Sequence, residues 1–330
     1  VAVGDGDPVP FDHLVLALGR RANQAMIPGM ERYALPLKTP GDALHIRNRI
    51  LSRLEQAEFE NDPARRCWLT TFIVIGGGAS GVEVAGEIMD FLSRSHRYYP
   101  RTGQDECRVI LLHEGDHILP ELSRSLGEYA HRKMSERGMQ IHLECRATEI
   151  RDEGVVLPDG ECIEGGNVIS TVGTRPNPLV EALPLEKERG RIVTDPDLSV
   201  PGHSNIWALG DCATVPNGKD GPCPPTAQFA TRQAKTLGYN IAASLAGRRH
   251  REFAYDPVGQ LATIGHHNAV AEIYGMRLSG FVAWLLWRAV YLSKMPTFSR
   301  KVRVFGEWNW NLFFPPDIAR LSLTRTGEED

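Results

Sequence analysis

The 330-residue chain has no C-x-x-C pair, and its six cysteines (Cys67, Cys107, Cys145, Cys162, Cys212 and Cys223) show no metal-ligand spacing. This argues against a zinc ribbon and against a dense secreted disulfide framework, and the thiols read as reduced residues of a cytosolic protein. No long run of one charge is present. Lys and Arg number 37 against 41 Asp and Glu, and the net charge of −4 argues against nucleic acid as a partner. No apolar run is long enough to cross a bilayer; the nearest, FVAWLLWRAVYL at 281–292, is short and broken by Arg288. No secretory leader is recognisable. What remains is an ordinary globular composition, 42% hydrophobic and 24% charged, with enough length for two domains.

The most informative stretch is TFIVIGGGASGVEVAGE at 71–87. Its apolar start has no alternation and reads as a strand buried on both faces. Gly76, Gly78 and Gly81 then form G-x-G-x-x-G, followed by helical spacing without a breaker. Gly76 allows a sharp turn off the strand, Gly78 allows the backbone to approach a pyrophosphate, and Gly81 allows the helix to pack against the sheet. The free N–H groups of the first helical turn face the phosphates. A carboxylate at the end of the next strand completes such a site. Glu114 follows the strand at 109–112, 33 residues beyond Gly81, with a polar excursion at 94–106 accounting for the extra length. It is placed to accept hydrogen bonds from the adenosine ribose and to repel a 2′-phosphate, favouring NADH.

A second device occurs twice. The strands at 11–18 and 168–172 both end in G-x-R-x-N: Gly19-Arg20-Arg21-Ala22-Asn23 and Gly173-Thr174-Arg175-Pro176-Asn177. The repeat suggests two related dinucleotide-binding domains. Between them the spacing predicts a helix at 42–60, ended by a linker at Asn61-Asp62-Pro63, then an amphipathic helix at 123–137, a strand at 139–143, and a hairpin turning at Pro158-Asp159-Gly160. Further on, the strand at 206–209 delivers Gly210 and Asp211, and a helix starts at Ala227 with Thr226 as N-cap. An Asp on a strand-end glycine suits a ribitol or ribose hydroxyl, and a helix N-terminus suits an electron-rich ring oxygen; an ordinary turn is the alternative. The C-terminal part joins the apolar 281–292 to Phe298, Val302, Phe305 and Trp308 at helical spacing, with Arg300, Lys301 and Arg303 between them. Basic residues mixed with Trp and Phe suit a helix lying in a membrane interface; packing on a core or a dimer partner is the alternative.

Taken together, the fingerprint, the repeated strand end and the late G-D strand resemble the two-dinucleotide-fold flavoprotein reductases. The chain looks most like a type II NADH:quinone oxidoreductase, through VIGGGASGVEVAGE, NIWALGDCA, PPTAQFATRQ and the tail YLSKMPTFSRKVRVFGEWNWNLFFPPDI. The resemblance implies an α/β protein with two Rossmann-like domains: an incomplete FAD-binding domain at 1–62 and 198–250, and an NADH-binding domain at 63–197. An amphipathic, membrane-facing region would occupy 251–330. It implies FAD and NADH as cofactors, with Gly76, Gly78, Gly81, Glu114, Gly173, Gly210, Asp211, Thr226 and Ala227 holding them. Glu83 would act near the nicotinamide–flavin contact. Gln228 matches the first Gln of the family's A-Q-x-A-x-Q pattern, and Arg232 stands in place of the second. No metal is expected. The partners would be a quinone and the membrane surface, at the cytoplasmic face of the cell membrane, with a possible homodimer. The family's first glycine loop, for the FAD pyrophosphate, is not in this sequence, which reads as N-terminally truncated. Rival readings are a soluble flavin reductase of a disulfide or small redox protein, and a non-catalytic NADH-binding sensor or inactive fragment.

Overall fold

The computed structural model describes residues 1–319, apart from 3, 5, 104–105, 219–220 and 315–316. Two compact units are formed, Val1–Asn23 with Thr174–Val258, and Gln24–Gly173 with Gly259–Asp330.

The larger unit is built on a five-stranded parallel sheet in the order Ala34–Pro36, Asn167–Ser170, Thr71–Ile75, Arg108–Leu112, Gln140–His142. Parallel strands need crossovers and end up covered on both faces. The central strands show this in their alternation. Phe72, Val74, Val109 and Leu111 enter one core with the helices, while Ile73, Ile75, Ile110 and Leu112 enter another against Met30, Ile150 and Val155. The first core is closed by helices Pro40–Phe59, Ala79–Ser95 and Arg124–Ser135. The Pro40–Phe59 helix begins with a capping box, in which Asp42 N–H donates to the Thr39 hydroxyl and Thr39 N–H to the Asp42 carboxylate. The expected linker at Asn61-Asp62-Pro63 is instead the start of a short helix, Pro63–Leu69, capped by the Asp62 carboxylate. A Pro after Asp begins a helix as well as it ends one. The expected hairpin is present and gains a third strand: Glu149–Ile150, Gly154–Val156 and Cys162–Glu164 form an antiparallel sheet.

A three-stranded antiparallel meander, Gly259–Gly265, Asn268–Ile273 and Met276–Gly280, also belongs to this unit and was not legible in the sequence. It packs on the Ala79–Ser95 helix so closely that a Cβ on Gly86 would lie 2.8 Å from the Ile264 carbonyl carbon. Helices Phe281–Ser293 and Phe298–Phe313 follow, joined at Thr297, whose hydroxyl caps the second. No helix among the described residues is long and apolar enough to cross a membrane.

In the smaller unit, Leu14–Leu16 pairs in parallel with Ile206–Ala208. The expected buried strand at 11–18 is only these three residues, and Val15 is exposed. The core gathers around the fully buried Trp207, whose indole N–H donates to His13. The two G-x-R-x-N segments pair with each other: Arg20–Ala22 and Thr174–Pro176 are antiparallel, with Arg21 opposite Arg175. Asn177 donates to the Leu18 carbonyl and caps the helix Pro178–Ala182. Short strands Lys187–Glu188 and Arg191–Val193 join Ala213–Thr214 in a further sheet.

Candidate functional site

The glycine loop leaves the strand Thr71–Ile75 at Gly76, whose φ of +114° is strained for any side chain. A Cβ on Gly76 would stand 2.6 Å from the Thr171 hydroxyl, and one on Gly81 only 1.7 Å from the Gly76 carbonyl oxygen. Thr171 also donates to the Ile75 carbonyl at 3.0 Å, tying the next strand end to the loop just before Gly173, which has φ +75°. Gly78 is the N-cap of the Ala79–Ser95 helix and offers no capping side chain, so the first-turn N–H groups are left to an outside acceptor.

Three side chains border this mouth. Glu114 is exposed at the end of strand Arg108–Leu112. Its neighbour His113 folds inward, accepts the Gly77 N–H on Nδ1 at 3.2 Å, and lies so close that a Cβ on Gly77 would meet its Cγ at 2.6 Å. Burial holds its imidazole below the usual range, against the pull of Glu114. The Glu121 carboxylate lies beside Gly78, 3.0 Å from where a Cβ would be, at a helix N-terminus that favours negative charge. Sequence reasoning missed both residues. A single His beside Glu114 carries no sequence signal of its own, and Glu121 lies far from Gly78 along the chain.

Glu83 comes one turn into the same helix and points to the meander and the C-terminal helices. It is largely buried, and its Oε1 accepts the Trp287 indole N–H at 3.0 Å and the Thr263 N–H at 3.2 Å. Burial raises its pKa, and these two donors oppose the rise. Glu83 opens on a cavity of about 860 Å³ walled by the fingerprint helix, the Pro40–Phe59 helix, the meander and the two C-terminal helices. Trp284, Trp287 and Trp308 form its aromatic side, and Arg288 sits with its guanidinium 4.6 Å from the Trp284 ring and 5.2 Å from Trp308.

The other expected site residues lie in the smaller unit. Gly210, at φ +72°, turns the chain after Ile206–Ala208 and presents Asp211. The Gly210 N–H is held by the buried Gln233, whose Oε1 accepts it at 2.8 Å. Thr226 and Ala227 are exposed at the start of helix Ala227–Leu245, with no side-chain cap. Gln228 and Arg232, one turn apart, converge on Tyr255. The Tyr255 hydroxyl donates to Gln228 Oε1, which also accepts the Val258 N–H at 3.3 Å. The Arg232 guanidinium lies 4.0 Å from the Tyr255 ring centroid. Glu83 belongs to the other unit. Gln233 escaped sequence reasoning because Arg232 drew attention, although it stands one residue away in the same motif.

A family model for pyridine nucleotide-disulphide oxidoreductases matches residues 1–234, and one for the NDH2 C-terminal domain matches residues 258–315. The chain belongs to the type II NADH dehydrogenases. The type II NADH:quinone oxidoreductase Ndh of Mycobacterium tuberculosis is 33% identical over 312 residues, covering 91% of this chain and 66% of the relative. The demethylphylloquinone reductase NdbB of Synechocystis is 32% identical over 309 residues, covering 92% and 71%. Among solved structures, NDH2 from Plasmodium falciparum in complex with NADH superposes with a TM-score of 0.86 at 18% identity, over 94% of this chain and 80% of that one. The chain thus spans about two thirds of the length of the curated relatives it matches.

For a type II NADH dehydrogenase, the second matched region comprises the meander and the two helices that enclose Glu83. Those helices are unusual for a folded surface. Phe298 is 82% exposed, Phe313 81% and Trp310 61%, and helix Phe298–Phe313 has no buried residue. Arg94 anchors its end by donating to the Asn311 and Phe314 carbonyls, where a cation is favoured by the helix dipole.

Proposed function

We propose that this chain works as an FAD-dependent, non-proton-pumping NADH:quinone reductase. The observation that carries the reading is Glu83. A carboxylate on the dinucleotide-fingerprint helix is gripped by a tryptophan of the C-terminal module, so nucleotide site and module share one side chain. The glycine loop fits a pyrophosphate, because Gly76 and Gly81 leave no room for Cβ atoms and the helix start at Gly78 is uncapped. Glu114 would hold the adenosine ribose, and Gly173, at φ +75°, turns the chain after the neighbouring strand. For FAD, the fit is with Gly210, Asp211 and the polarity of the helix end at Thr226 and Ala227.

Bound FAD would supply the two-electron chemistry, taking hydride from NADH and passing electrons to quinone. The protein's share is to orient the reactants, exclude water and hold protons. Glu83, kept protonated to higher pH by burial, would hold a proton for the acceptor. Gln228 and Arg232 would offer polar groups to the quinone. Arg232 replaces the family's Gln with a cation able to donate to a carbonyl oxygen.

The exposed aromatic residues of the C-terminal helices, mixed with Arg300, Lys301 and Arg303, suit attachment to the membrane surface without crossing it. We place the protein at the cytoplasmic face as a peripheral protein and allow for a homodimer. Steady-state NADH oxidation with a soluble quinone, a disulfide and ferricyanide compared side by side tests the function; preference for the disulfide would overturn it. Deleting residues 298–330 should release the protein from liposomes, and retained binding would move the attachment elsewhere.

A further inference from the structure

The cavity beside Glu83 carries a row of acids along one face of the fingerprint helix: Glu83, Glu87 and Asp90, at spacings of four and three residues. Their surroundings differ. Asp90 is engaged on both oxygens, paired with Arg137 and accepting the His266 N–H on Oδ2 at 2.6 Å. Glu83 is held through one oxygen by Thr263 and Trp287. Glu87 makes no hydrogen bond among the described residues, and its side chain is open to the cavity.

The cations around Glu87 already have other partners. From its own helix, Arg94 holds the carbonyls of Asn311 and Phe314. Beyond the end of helix Arg124–Ser135, Arg137 is shared between Asp90 and the Ile264 carbonyl. Across the cavity, Arg288 lies between Trp284 and Trp308. Arg47, from helix Pro40–Phe59, donates to the backbone carbonyls of Asp317 and Ala319. Among the described residues, the remaining titratable groups on the wall are the meander-turn histidines His266 and His267 and the Asp317 carboxylate. Glu87 is therefore a carboxyl within reach of cavity water, flanked by two other acids and paired with no cation among the described residues.

We propose that Glu87 is the proton carrier between solvent and Glu83, taking a proton from cavity water and handing it on through water. The route would supply the single proton drawn from solvent in NADH + quinone + H⁺ → NAD⁺ + quinol. The inference rests on the functional reading above. Residues four apart on a helix have Cβ atoms about 5–6 Å apart, a gap that one bridging water spans. A carrier has to gain and lose its proton near the working pH. Burial first, then Asp90 and Glu83, push the Glu87 carboxyl up to about 7 against the pull of Arg137 and Arg94. The Glu87 side chain is exposed on the cavity side, so solvent protons reach it directly.

The test is Glu87→Gln, with Glu87→Asp as the conservative variant. In the cofactor-free protein, carboxyl titration followed by carbon NMR or infrared should show one acid near pH 7 that disappears in Glu87→Gln. In the flavin-loaded protein, flavin reduction by NADH should stay within about twofold. The quinone-reducing half should slow by about tenfold or more and lose its dependence on pH near 7, with partial recovery in Glu87→Asp. A quinone half-reaction unchanged in Glu87→Gln, both halves slowed equally, or a Glu87 carboxyl titrating in the ordinary range would each overturn the relay alone. If the wild-type protein reduces no quinone, the functional reading falls and takes the relay with it.

Discussion

Helices Ala79–Ser95 and Ala227–Leu245 both begin on an extended residue whose side chain makes no capping hydrogen bond, Gly78 in one and Thr226 in the other. Around Gly78 the structure is packed. Gly76, Gly77 and Gly81 are each crossed by a neighbouring atom closer than 3 Å to where a Cβ would be. Around Thr226 it is open, with Pro224, Pro225, Thr226 and Ala227 all exposed. One helix end is a slot left by the absence of side chains. The other is a free pole, and what is shaped there is the Gly210 turn that faces it, held by Gln233. The difference teaches that the first site is specified by sterics and the second by hydrogen bonding.

Substitutions should separate the two. Gly81→Ala has the largest expected effect. Its methyl would land 1.7 Å from the Gly76 carbonyl oxygen, a clash with backbone that costs about 1–3 kcal/mol and opens the loop. NADH titration should show affinity lost by more than about tenfold, alongside a lowered melting temperature; unchanged NADH affinity would break the steric account. Gln233→Leu should come next, leaving the Gly210 N–H without its acceptor at a cost of about 1–3 kcal/mol. Flavin retention after purification should fall while NADH affinity stays as it was, and equal losses of both would erase the distinction.

A pH effect should follow from the acids behind the first helix. The Glu87 carboxyl, at about 7 in the folded chain against about 4.5 ordinarily, holds a proton that the unfolded chain releases. Stability should therefore decline as pH rises from about 4.5 through 7 and level off above, and Glu87→Gln should flatten this decline. Melting temperatures of both proteins at pH 5, 7 and 8.5 test the sign. The smallest effect is expected at Glu121. Its carboxylate sits where an anion would dock, so Glu121→Ala should tighten NADH binding by a few-fold at low salt. Weaker binding would mean that Glu121 contacts the nucleotide favourably.

The steric site was the more legible of the two in the sequence. Glycines at fixed offsets between an unbroken apolar strand and a helix leave few other structures, and the strands, the helix and the sheet they predicted are all present. Glu83 could be named from its place in the motif, but its partners Thr263 and Trp287 lie about 180 and 200 residues away and leave no local pattern. The meander was missed for a related reason: its strands are rich in Ala and Gly and are buried by packing on Gly86, so neither β-branched enrichment nor alternation marks them. The linker read at Asn61-Asp62-Pro63 failed because the same residues that stop a helix also cap one.

The close approach of Gly86 to the meander has a consequence for how this protein can be divided. Ala262, Ile264 and Val270 share one core with Val82, Ala85 and Ile88 of the fingerprint helix. At Val258 the chain passes from the smaller unit back to the larger one, and the residues beyond it thus belong to the same core as the fingerprint helix. A shorter version ending there would carry the whole glycine loop and still present a greasy strip along the helix that holds it. Such a piece should be sticky and poorly soluble, and the nucleotide site cannot be borrowed as a stand-alone part.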